Sequence, residues 1–174
     1  MRRFLLGAIA TIATVALVTP SWATTTITEI VPRRIEAPIE KACPFEVTAT
    51  DRSEQTARST YDDARTLLTR TISGRQLTLF ARSEGHQVVM ESLGTVTITR
   101  RSDGTYSYVH RGTGVWFDDG NLSGTAELLR FTGTVRAVGV YDAGTFTFQP
   151  VQRTISGVTS SICEMLLTGL KTRH

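Results

Sequence analysis

Histidine, carboxylate, serine and cysteine side chains could do chemistry in this chain, and their spacing decides which chemistry is open to them. The histidines are His86, His110 and His174. None stands in an H-x-H, H-x-x-E-H or H-E-x-x-H pattern, the spacings that bring side chains onto one metal ion, so neither a metal nor another cofactor is expected. The acidic pairs Asp62-Asp63 and Asp118-Asp119 could divide acid and base roles only if both members faced one site at a set separation. Neighbours on a strand point to opposite faces, and Asp118-Asp119-Gly120-Asn121 has the composition of a turn. No calcium-loop spacing surrounds it. No serine sits in a G-x-S-x-G elbow. Gly112-Thr113-Gly114 lacks the third glycine and following helix of a dinucleotide loop. No catalytic residue is assigned, and His110 and Glu91 are the nearest candidates if an active site lies inside the fold.

The two cysteines, Cys43 and Cys163, have one possible intramolecular pairing, and an exported chain with an even cysteine count favours it. A C-x-x-C redox motif is absent. Export is read from the N-terminus. Arg2 and Arg3 precede an uncharged run from Phe4 to Val18, and Ser21 and Ala23 supply small residues before a cleavage point. This run is shorter than the roughly 20 apolar residues of a membrane span. Residues 1–23 are therefore expected to be a cleaved signal peptide, by the general or the twin-arginine route, leaving a secreted protein with no stable membrane anchor. Removing Arg2 and Arg3 from the formal charge of +3 leaves +1 for residues 24–174. The remaining arginines are interleaved with acids, whereas a nucleic-acid binder concentrates them on one face. Asn121-Leu122-Ser123 matches a glycosylation sequon.

These groups must be positioned by a scaffold, and the scaffold reads as mainly β. Residues 24–42, with Pro32, Pro38 and mixed charges, read as an extended or disordered arm able to dock as an edge strand. Residues 43–170 read as one β domain, followed by a tail over 171–174. Apolar residues alternate with polar ones at Phe45-Val47-Ala49, Leu77-Leu79, Val96-Ile98, Tyr106-Tyr108, Val138-Val140 and Phe146-Phe148, the period of a half-buried strand. Ser73-Gly74, Glu84-Gly85, Asp103-Gly104, Asp119-Gly120 and Ala143-Gly144 read as turns, because each offers a glycine free to take φ > 0. Together these predict a single antiparallel barrel or sandwich of about eight short strands, with a barrel favoured. Asp51 to Arg65 reads as a long loop or a short helix. Thr159 to Leu170 reads as a terminal helix capped by Ser160 or Ser161, with Glu164 in its first turn. The aromatics Phe80, Tyr106, Tyr108, Trp116, Phe131, Phe146 and Phe148 are expected to fill the core or, in a hollow barrel, to line an apolar cavity.

Cys43-Pro44-Phe45, the Gly-Thr-Gly-Val-Trp-Phe stretch at 112–117, the strand Phe131-Thr132-Gly133-Thr134-Val135 and the closing Cys163 resemble uncharacterised secreted β-proteins of high-GC Gram-positive bacteria. That resemblance implies a small barrel and no agreed activity. The expected function is a secreted, non-enzymatic β-barrel binding a small apolar ligand or an extracellular protein partner. The alternatives are a structural or envelope-associated protein, and an enzyme with its site inside the barrel.

Overall fold

The computed structural model describes residues 24–39, 41–83, 85–120, 122, 124–142 and 147–169; the expected signal segment and C-terminal tail lie outside the described residues. Seven strands follow one another: β1 (Thr25–Ile39), β2 (Val47–Tyr61), β3 (Leu67–Arg82), β4 (Gln87–Arg100), β5 (Tyr106–Asp119), β6 (Ala126–Asp142) and β7 (Thr147–Ser161). A short helix, α1 (Ile162–Thr168), ends the described chain. Every strand pairs antiparallel with the next, so order in the sheet equals order in sequence. The expected barrel is corrected: the sheet is not closed, and β1 and β7 are its two edges. The expected count and length are corrected too. The strands run 14 to 17 residues, longer than the usual five or six or so, and two expected breaks are absent.

The first absent break is at Asp51–Arg65, most of which lies within β2. Its inward positions carry Ser53, Ala57 and Ser59, small side chains that leave no large apolar alternation to mark a strand. The following turn is held by Asp62, whose Oδ1 accepts from the Thr66 N–H at 2.7 Å, with Arg65 in the left-handed region. The second is Ser73-Gly74, which lies in the middle of β3 and is not a turn. The arm at 24–42 becomes edge strand β1 over most of its length, in register with β2 from Thr25↔Tyr61 to Ile39↔Val47.

Gly74 belongs to a row. Register places Gly74 opposite Gly94, Gly94 opposite Gly112, Gly112 opposite Gly133 and Gly133 opposite Gly157. Gly94 and Gly112 have φ of +145° and +129°, and a Cβ on either would overlap the carbonyl oxygen of the neighbouring strand. Only glycine permits this backbone and this approach. The row is a crease. Tyr108 and Trp116 sit on one strand eight residues apart, about 26 Å if it were straight, yet their ring centroids are 5.7 Å apart. β5 therefore bends sharply between them, at Gly112.

Beyond the crease β4 and β5 part. Their pairing runs only from Arg100↔Tyr106 to Leu93↔Thr113. Helix α1 packs against β3, β4 and β6 on that side. It buries Ile162 and Leu166 completely against Phe80, Val88, Met90 and Leu128. Ser161 caps the helix by accepting from the Glu164 N–H, and Gly169 closes it in the left-handed conformation. The helix thus starts a few residues later than Thr159, because β7 continues to Ser161. Cys43 and Cys163 form a disulfide with Cα atoms 5.5 Å apart, tying α1 to the segment before β2. His86 Nδ1 lies 2.9 Å from the Leu166 carbonyl, fastening the helix to the β3–β4 turn.

Candidate ligand cleft

Folding the sheet along the glycine row leaves a cleft of about 450 Å³ on its concave side, lined by residues from all seven strands. Its two walls are unlike. One wall comes from β2, β3 and β4 on the α1 side of the crease. Register sets Ser53 opposite Gln76 and Gln76 opposite Ser92, a cross-strand row of three polar side chains. The next row toward α1 holds Asp51 opposite Thr78, whose hydroxyl donates to Asp51 Oδ1 at 2.5 Å. Gln55, beside the crease, accepts from Ser53 Oγ at 3.0 Å.

The other wall is mostly apolar. Ile72, Val96 and His110 are register neighbours, and so are Arg70, Ile98 and Tyr108 in the next row. Tyr108 packs against Phe148 at 5.2 Å between centroids. Tyr141 lines the same side. Arg70 is only 4 % exposed, and its Nη2 donates to Glu29 on β1 at 2.6 Å. Its Nη1 donates to Ser59 at 3.0 Å. Burying a guanidinium is tolerable when a carboxylate and a hydroxyl share its protons in this way.

His110 is the most informative residue of the cleft. It is 8 % exposed, its ring meets Phe131 edge-on at 4.9 Å, and it lines the cleft. Among the described residues no protein group hydrogen-bonds its nitrogens. Burial pushes its pKa below the ordinary imidazole value, so the ring is neutral at physiological pH and offers one donor and one acceptor. Burial likewise raises the Tyr108 and Tyr141 hydroxyls, keeping both protonated.

The two candidates for an active site, His110 and Glu91, are not brought together. Glu91 lies between inward-facing Met90 and Ser92 and points outward, where its Oε1 accepts from Arg75 Nε at 2.5 Å. His110 faces inward, so the two occupy opposite sides of the sheet. Asp118 is buried beside Arg153 at 3.6 Å and accepts from the Gly120 N–H. Arg153 also donates to Glu127 at 3.1 Å, so this cluster fastens β5, β6 and β7 together. Among the described residues no three His, Cys, Asp or Glu side chains gather as a metal site would.

Of the aromatics considered from sequence, Tyr108 and Phe148 line the cleft. Phe80 is buried under α1. Tyr106 donates to the Leu67 carbonyl at 3.1 Å beside Tyr141. Trp116 and Phe131 pack with Val135 and Ala137. Phe146, His174 and the Asn121 and Ser123 of the sequon lie outside the described residues. Sequence reasoning missed the polar wall. Its only trace was polar residues at alternate positions, Ser53-Gln55 and Gln76-Thr78, which look like an outer strand face until register places them inside.

Comparison with protein-family models, with curated proteins and with solved structures finds no match. The reading therefore rests on the geometry. A concave site of this size falls within the range of small-molecule pockets, about 300–1,000 Å³. It offers hydrogen-bonding groups on one wall and rings on the other.

Proposed function

We propose that this is an exported, non-enzymatic binding protein that holds a small amphipathic molecule in the cleft at the crease of its sheet. The observation that carries the reading is His110. Its ring nitrogens are not among the buried orphaned atoms; they open on the cleft, where they can exchange water for a ligand group. A neutral imidazole that opens on a cleft and has no protein partner offers a ligand one donor and one acceptor. The polar wall favours an amphipathic ligand over a purely apolar one. The Cys43–Cys163 disulfide suits an oxidising compartment, and no helix among the described residues is long and apolar enough to cross a membrane.

Native mass spectrometry of the protein recovered from its own host tests this. The expected spectrum shows a chain beginning at Thr24, two hydrogens lighter for the disulfide, with a reproducible non-covalent adduct. A processed chain with no adduct, alongside failure of any small amphiphile to bind, overturns the ligand reading. It would leave a protein that acts through its exposed β7 edge, where Val151 and Val158 are 68 % and 73 % exposed.

A further inference from the structure

We propose that the cleft's ligand is a neutral carbohydrate, a mono- or disaccharide. The proposal rests on the binding reading above and specifies the chemistry of the occupant. A sugar ring has an edge crowded with hydroxyls and a face of C–H groups. The cleft has the complementary division. Its polar wall presents the Ser53–Gln76–Ser92 row, with side chains about 5 Å apart across strands. That row mixes hydroxyls, which donate and accept, with a carboxamide, which does both from separate atoms. Asp51 adds a strong acceptor at the end of the wall, already steadied by Thr78. A purely apolar ligand would strip water from all of these groups and return nothing, which is costly.

The facing wall supplies what the C–H face of a sugar needs. The rings of Tyr108 and Phe148 lie together, flanked by Ile98. His110 stands at the crease between the walls, where one ring nitrogen can meet a further hydroxyl. Charge argues for neutrality. Arg70 is the cationic side chain of the cleft wall, and it is committed to Glu29 and Ser59. Asp51 and Glu29 would repel an anion. The volume of about 450 Å³ equals the share of about 15 water molecules at about 30 Å³ each, the scale of one or two sugar rings.

The test uses the secreted chain and two kinds of probe. N-phenyl-1-naphthylamine, a neutral aromatic amphiphile, reports occupancy by its fluorescence. A panel of glucose, galactose, mannose, N-acetylglucosamine, maltose and cellobiose is scored by calorimetry and by displacement of that dye, with glucuronate as the anionic control. The expected result is that at least one neutral sugar binds and displaces the dye, and that glucuronate binds at least tenfold more weakly. Gln76→Ala is expected to weaken sugar binding roughly 2- to 12-fold, the worth of one neutral hydrogen bond, with a urea midpoint and far-UV circular dichroism like the parent's showing that the variant is folded. If the dye binds and no sugar displaces it, the carbohydrate proposal fails and the binding reading stands. If neither binds, both fail. Glucuronate binding as tightly as glucose would contradict the neutral class.

Discussion

The two sides of the glycine crease are built from the same seven strands and filled in opposite ways. On the α1 side, Phe80, Met90, Leu128, Ile162 and Leu166 are among the largest fully buried side chains of the molecule, and a disulfide and a capped helix close over them. On the other side Tyr61, Tyr106, Tyr108 and Tyr141 gather around Leu67 and Ile98, with Arg70 and His110 buried among them. The first filling is close-packed and non-directional, the arrangement that gives most stability per area. The second keeps hydroxyls, a guanidinium and an imidazole out of bulk water, which costs free energy wherever a partner is missing. The contrast suggests a division of labour. The core under the helix stabilises the fold, so the cleft that spans the crease can carry groups chosen for binding.

The crease joins the two sides, so breaking it should have the largest effect. Gly94→Ala would place a Cβ on the Arg111 carbonyl at φ +145°, and a loss of more than about 4 kcal/mol is expected. Gly104→Ala meets open space at φ +83° and should cost only the backbone strain, about 1–3 kcal/mol. Urea midpoints of the two variants make the comparison. Similar small losses would show that the row is not a packing constraint.

Next comes the staple. Cys43→Ala with Cys163→Ala releases a loop with a sequence separation of 120, and chain-entropy models put the loss at roughly 4–5 kcal/mol. The loss should also be local: hydrogen exchange should rise in α1 and around Val88 before it rises around Tyr106. Uniform loosening would erase the contrast between the two sides.

The smallest effect concerns His110, whose pKa burial lowers from the ordinary value of about 6.5. The unfolded chain then binds the proton first. Stability from this group is complete above about pH 6.5 and falls as pH drops below it, at up to about 1.4 kcal/mol per unit, until the folded-state value is reached. His110→Gln should remove that slope. An unchanged slope in denaturation midpoints between pH 7 and 5 would mean that His110 is not held neutral by burial.

Much of the scaffold was legible because its signals are local. Alternation marked the strands around Val96-Ile98, Tyr106-Tyr108 and Val138-Val140, and the serine cap with Ile162 and Leu166 four residues apart marked α1. The crease was not legible. Gly74 and Gly104 look alike in sequence, each a glycine after a small polar or acidic residue, yet one lies in mid-strand and the other in a turn. What separates them is alignment with Gly94, Gly112, Gly133 and Gly157 across the sheet, which requires a register that local sequence does not encode. The cleft was hidden for the same reason. The large rings could fill a core or line a cavity, and Phe80, Tyr106, Trp116 and Phe131 are core, while Ser53, Gln76 and Ser92 were indistinguishable from solvated strand positions.

Chemical-shift mapping by NMR with N-phenyl-1-naphthylamine tests the central claim most directly. Perturbed resonances are expected at Ser92, Val96, Tyr108 and His110, with α1, Phe80 and Val88 unmoved. Perturbations along the outer face of β7, or none at saturating dye, would contradict a ligand cleft at the crease.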